Sequence, residues 1–157
     1  MAESFEVKGL KELEAALDAL PANVERNVAR GALRAGANVL RDEARRLAPV
    51  KSGLLQKFIR VVQRRGAPGR LMVNVVAGGS GAGKPWYARF LEYGTAPHRI
   101  EAKKGGALFI GGHFVKGLDH PGAAPHPFMR PALDTKAKDA VEAFRKYVAE
   151  RLDKLKG

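Results

Sequence analysis

Along most of the chain, apolar residues recur at helical spacing. Leu10, Leu13, Leu17 and Leu20 alternate with charged and small residues, which predicts a short amphipathic helix over about 10–20. Pro21 ends it or opens the next. Val24, Val28, Ala32, Ala35 and Val39 then form one stripe, continued by Leu40, Ala44 and Leu47, while Arg26, Arg30, Arg34, Arg41 and Arg45 fall largely off it. A helix over 22–47 would approach 40 Å at about 1.5 Å per residue. Gly31 and Gly36 each weaken it by about 1 kcal/mol relative to alanine, which is tolerable if another backbone packs close there. Pro49 stops it, because the residue before a proline avoids helical angles. A last helix is expected over 131–155, with Leu133, Ala137, Val141, Phe144, Val148, Leu152 and Leu155 as its buried stripe.

The middle of the chain changes pattern. Strands are expected over about 57–63 and 71–77, both rich in β-branched residues and joined by a Gly/Pro-containing turn. Shorter strands are expected over about 98–102, 107–110 and 113–115, with Lys103-Lys104-Gly105-Gly106 as a turn. Residues 5–8 are a weaker strand candidate, and Lys116–Pro127 reads as a loop. Helices at both ends with strands between them predict an α+β fold. It is expected as a single domain, 1–157, in which an antiparallel β-sheet carries a long N-terminal helix and a C-terminal helix packed on it.

One stretch stands between two Gly/Pro-rich segments. Trp86, Phe90 and Tyr93 are spaced i, i+4, i+7, so a helix over 86–93 would carry an aromatic face. Pro85 suits its first turn and Gly94 suits its end. The expectation is a core-anchoring helix, with Trp86, Phe90, Glu92, Tyr93 and Gly94 as structural anchors. Glu92, the one acid of that helix in a basic segment, is expected to pair with an arginine such as Arg130.

Composition narrows the function. With 157 residues the chain can bury a real core. It has no cysteine, which excludes disulfides and thiolate sites. No apolar run approaches the ~20 residues of a membrane span, and the first residues have no apolar signal region, so folding in a cytoplasm is expected. The net charge of +12 is unevenly placed: residues 51–130 hold 13 Lys/Arg against 3 acids, while 1–50 are balanced at 8 and 8. A local positive field favours nucleic acid or an acidic protein surface. No helix-turn-helix, finger or RNA-binding signature accompanies it, and aromatics are not interleaved with the basic residues, so any nucleic-acid contact is expected to be non-specific.

Three signals of other chemistry fail on inspection. Gly78–Lys84 matches G-x-x-x-x-G-K, but Pro85 replaces the metal-binding Ser or Thr and removes an N–H that a phosphate loop uses. A flexible loop is the better reading. His98, His113, His120 and His126 fit no compact ligand spacing, so no metal or cofactor is expected. Ser4, Ser52 and Ser80 lack nucleophile flanks, and nothing pairs Glu92, Glu101 and Asp119 as acid and base, so an enzyme is not expected.

Three blocks in order resemble a known family. They are Ala48-Pro49-Val50-Lys51-Ser52-Gly53-Leu54-Leu55, Tyr87-Ala88-Arg89-Phe90-Leu91-Glu92-Tyr93-Gly94-Thr95, and His120-Pro121-Gly122 followed by Pro127-Phe128-Met129-Arg130-Pro131-Ala132-Leu133. Their order and spacing are similar to the small tail-component, or neck, proteins of long-tailed bacteriophages and prophages. Lys51 departs from the acid or polar residue expected there. The resemblance implies a structural virion protein that acts in head–tail joining or tail completion. It implies a ring homo-oligomer, a hexamer among the expected forms, contacting connector and tail-tube proteins, with genomic DNA passing through. The protein would assemble in the host cytoplasm and end in the virion. Arg64, Arg65, Lys84, Lys103, Lys104 and Lys116 are the candidate assembly or DNA-facing residues, and Phe128 and Arg130 are further structural anchors. The competing reading is a non-specific nucleic-acid-binding domain.

Overall fold

The computed structural model describes residues 10–65, 70–103 and 106–156. Helix α1 (Leu10–Asp18) leads through Pro21 into α2 (Ala22–Leu47). The expected strand over 5–8 lies outside the described residues. A short turn of helix, α3 (Leu54–Lys57), follows α2 and precedes the antiparallel strands β1 (Arg60–Arg65) and β2 (Leu71–Val76). Helix α4 (Ala88–Tyr93) comes next, then β3 (His98–Glu101), β4 (Leu108–Ile110), β5 (His113–Val115) and β6 (Gly117–His120). Helix α5 (Met129–Lys156) closes the described chain.

Helices α2 and α5 are the spine. They run antiparallel: Val28 and Val148 share one core cluster, while Ala44 and Ala132 share another. The seam between them is made of small residues. A Cβ on Gly36 would stand 2.7 Å from the Ala140 carbonyl oxygen, and one on Gly31 would run into the Tyr147 ring. The two glycines that weaken α2 locally therefore let α5 approach. For the same reason the buried line on α2 runs through Val28, Ala32, Gly36, Ala37 and Ala44, with Ala35 and Val39 only half-buried. On α5 the middle of the expected stripe is inside, with Val148 fully buried, but Leu133 and Leu155 are 53% and 52% exposed.

The α+β class is as expected, with small antiparallel ribbons in place of one continuous sheet. Among the described residues the strands pair as β1–β2, β3–β6 and β4–β5. The β1–β2 ribbon packs on α2. The other two pairs are successive parts of one long hairpin, residues 98–120. The ladder breaks between the Glu101↔Gly117 and Leu108↔Val115 pairs. Strand β6 lies where a loop was expected.

The larger core cluster joins distant parts of the chain. Ala44, Ala48, Leu55, Ile59, Ala88, Phe128 and Ala132 are buried together. The blocks that carry the resemblance are Ala48–Leu55, Tyr87–Thr95, and His120-Pro121-Gly122 followed by Pro127–Leu133; the first two and the Pro127–Leu133 part of the third contribute to this one cluster. Their shared pattern is thus a packing pattern.

Candidate functional site

The site begins at a carboxylate. Glu92 Oε2 accepts the backbone N–H of Phe128 at 2.8 Å and of Met129 at 2.9 Å, and Oε1 accepts that of Arg130 at 2.9 Å. A helix start leaves its first N–H groups without intrahelical partners. Here Glu92 takes three, and the next residue, Pro131, has none to offer. The clasp is closed on its other side by His126 N–H donating to the Leu91 carbonyl at 2.7 Å. Partial burial opposes the Glu92 charge, but the three N–H donors and the nearby Arg130 outweigh it and hold the carboxyl below its ordinary value. The expected partner was the Arg130 guanidinium. The observed hydrogen-bond partners are main-chain groups, because the α5 terminus presents them where Glu92 points.

The aromatic face does not anchor the core. Trp86 is 67%, Phe90 45% and Tyr93 75% exposed, with Trp86 and Phe90 stacked edge-to-face at 5.7 Å. The inward side of this segment is Tyr87, Ala88 and Leu91. Helix α4 starts at Ala88, two residues later than expected, and Pro85 is a fully buried plug at the end of the Gly78–Pro85 loop. The arrangement puts Trp86, Phe90 and Tyr93 outside and Tyr87, Ala88 and Leu91 against the body. Gly94 then turns the chain at φ +70°, where a Cβ would stand 2.5 Å from the Ala123 carbonyl.

From Gly94 the chain enters the 98–120 hairpin, which we call the arm. Its root is fixed by paired main-chain hydrogen bonds between Thr95 and Ala123, at 2.9 and 3.1 Å, and by the His98 and His120 rings 5.1 Å apart. Arg99 bridges Asp119 at 3.0 Å and Glu101 at 3.2 Å. Beyond its root, none of the arm's strands packs extensively on α2, α4, α5 or the β1–β2 ribbon. At the tip, Gly111 and Gly112 both take positive φ, the hairpin turn that two glycines allow. Phe109 and Phe114 face each other there at 5.0 Å, and are 66% and 76% exposed.

The body carries a matching concavity. A groove of about 1110 Å³ lies between α2, α5, β2 and the end of α4. Its walls include Leu33, Leu40, Val73, Leu133, Val141 and Phe144, and its rim includes Tyr93, Pro125 and Pro127, beside the arm root. Neither the groove nor the apolar tip was anticipated from the sequence. The Leu108–Ile110 and His113–Val115 strands around Gly111-Gly112 were a hairpin signal whose apolar tip could have been noticed.

Among the described residues, the candidate basic residues are not gathered into one patch. Arg64 is exposed near the far end of β1, opposite Met72. Arg65 is in the same strand. Lys84 is exposed in the loop that leaves the other end of the ribbon, after Val76. Lys103 and Lys116 are exposed beside the break in the arm, where Ala102 N–H donates to the Lys116 carbonyl at 3.1 Å. Lys104 lies outside the described residues. Among the described residues no group of three or more His, Asp or Glu is placed to hold a metal, and no helix is long and apolar enough to cross a membrane.

One family model matches the chain, described as "Bacteriophage HK97-gp10, putative tail-component", over residues 11–94. The matched part runs from α1 to the end of α4 and stops at the arm root. No curated protein and no solved structure matches the chain.

Proposed function

We propose, for a chain that belongs to the HK97-gp10-like family of bacteriophage tail components, the role of a ring subunit at the head–tail junction, joining connector to tail tube. The observation that carries this reading is the pairing of a clasped body with two unsatisfied apolar surfaces, the arm tip and the groove. A chain that worked alone would gain nothing from exposing Phe109, Phe114 and Trp86 together. A subunit that must meet neighbours on different sides has use for such surfaces, because ring contacts are heterologous. The basic excess of residues 51–130 suits a subunit beside a passing genome, with phosphate contacts spread over several points. The dispersed positions of Arg64, Lys84, Lys103 and Lys116 speak against a dedicated nucleic-acid-binding face.

The test is genetic and microscopic. A phage lacking this gene should accumulate filled heads and finished tails that are not joined, and supplying the protein in trans should restore joined particles. Antibody-gold against an epitope on the protein should label the neck. Joined, infectious particles at normal yield without the protein would refute the role.

A further inference from the structure

We propose that the arm tip of one copy seats in the groove of the next, so that the ring closes through a knob-in-groove contact; this rests on the ring reading above. The tip is a compact apolar knob. Phe109 and Phe114, with Ile110 beside them at 41% exposed, present on the order of 300 Å² of aromatic surface to solvent. That is within the range of the largest apolar patch on a typical monomer, a patch that is often functional. The groove is lined mainly by apolar side chains, with Glu92 and Arg130 also in its wall, and at about 1110 Å³ it has room for several side chains at once.

The occupant is a second copy because the chain carries both halves and cannot join its own. The arm leaves and re-enters the body at Thr95 and Ala123, next to the groove rim at Tyr93, Pro125 and Pro127. From His113 to His120 the chain spans at most about 23 Å at about 3.3 Å per residue, and none of the arm's strands packs extensively on the body. Among the described residues, none of 98–120 lines the groove in the single chain. A knob at the end of an arm rooted beside a groove is placed to reach the neighbour's groove, and the neighbour's arm to reach the next. The relation is head-to-tail and closes into a ring when the rotation allows. Tip and groove wall together cover roughly 600 Å², below the ~1,200 Å² of a stable pair. One contact alone is therefore weak, and assembly should depend on concentration until closure makes the last contact intramolecular.

Two single-face variants test this. Phe109→Asp with Phe114→Asp spoils the tip, and Leu133→Glu spoils the groove at an exposed wall position. Both should keep wild-type circular dichroism. Each alone should raise the concentration for half-assembly, read by mass photometry, at least about 30-fold, the loss typical of a dominant interface residue. Mixed together they retain one good tip and one good groove, so they should form heterodimers and nothing larger. The absence of native cysteine allows a second readout: Phe114→Cys and Leu133→Cys proteins, mixed and oxidised, should yield a disulfide-linked heterodimer, while neither alone should. If the wild type assembles and the tip variant assembles equally, or if only the groove variant fails, another segment fills the groove and the inference falls while the ring reading stands. A wild type that stays monomeric at every concentration, with no cross-link, overturns both.

Discussion

Replacing Glu92 by Gln removes one charge and one acceptor from the point where α4 holds α5. In the wild type both carboxylate oxygens accept main-chain N–H groups, two on Oε2 and one on Oε1. Glutamine keeps one oxygen and sets an NH₂ against the remaining donor. A hydrogen bond to a charged acceptor contributes about 1.5–3 kcal/mol and a neutral one about 0.5–1.5. Two weakened bonds and one lost bond, at a half-exposed site that water can partly repair, come to about 2–4 kcal/mol. For a chain of this length that lowers Tm by roughly 5–15 °C. The pH dependence gives a second reading. The Glu92 carboxyl is held below its ordinary value in the fold, so its contribution is complete above the unfolded value of about 4.3 and is lost as pH falls through the folded one. The difference between wild type and E92Q, measured by thermal denaturation, should therefore be full at pH 7 and shrink on acidification. Equal Tm values at pH 7, or a gap that persists unchanged at pH 3, would refute the clasp.

Four other outcomes follow from packing and exposure. Phe128→Ala should destabilise by about 3–5 kcal/mol in chemical denaturation, since the ring is fully buried; a wild-type midpoint would mean the core is elsewhere. Gly36→Ala should also lower the midpoint, because overpacking of about 1–3 kcal/mol against the Ala140 carbonyl exceeds the helix-propensity gain of about 1 kcal/mol. Trp86→Phe should leave stability within about 0.5 kcal/mol, and the native emission of Trp86, the sole tryptophan, should already be solvent-like. Arg64→Glu with Arg65→Glu should fold normally yet reduce the yield of infectious particles, and a normal yield would remove the basic strand from assembly.

The two long helices were legible because an apolar period of about 3.6 residues, sustained over many turns, matches a helix and no strand. The period fixed their faces only to within a residue or so. On α2 the seam shifted onto Gly36 because the partner needed closeness more than it needed side chains. The spacing of Trp86, Phe90 and Tyr93 grouped them, and the Trp86 ring does meet Phe90, although Trp86 lies before the start of α4. That spacing could not say which side faces the body, and the opposite side won, with Tyr87, Ala88 and Leu91 inward. Strand β6 was missed because Gly117-Leu118-Asp119-His120 offers one apolar residue among turn formers, and its partner β3 supplies the reason it is extended. Glu92 was singled out for its isolation among basic residues. The charge argument led to Arg130, whereas the geometry led to the main chain that Arg130 belongs to. The groove is a product of long-range packing between α2, β2 and α5, and no local pattern announces it.

The distribution of fixed and free parts has a thermodynamic consequence. The three sequence blocks converge on one buried cluster, and Glu92 ties the α4 end to the α5 start, so the frame around the arm root is held by burial and by charge-assisted bonds. The arm itself has only its own ladder, the Arg99 bridges and the root pairing to hold it straight. An exposed ion pair adds little, at about 0–1 kcal/mol, so the stiffness of the arm rests mainly on strand pairing. In the proposed ring, a weak knob on a moderately stiff arm, rooted in a rigid frame, would give each contact little strength but a defined direction. Directed weak contacts disfavour free clusters of random shape and favour the one arrangement in which every knob and every groove is filled. On this account substitutions at Glu92 should damage ring closure more than they damage a single knob-in-groove contact. The clasp sets the direction in which the arm departs, and small angular errors accumulate around a ring but not within one pair.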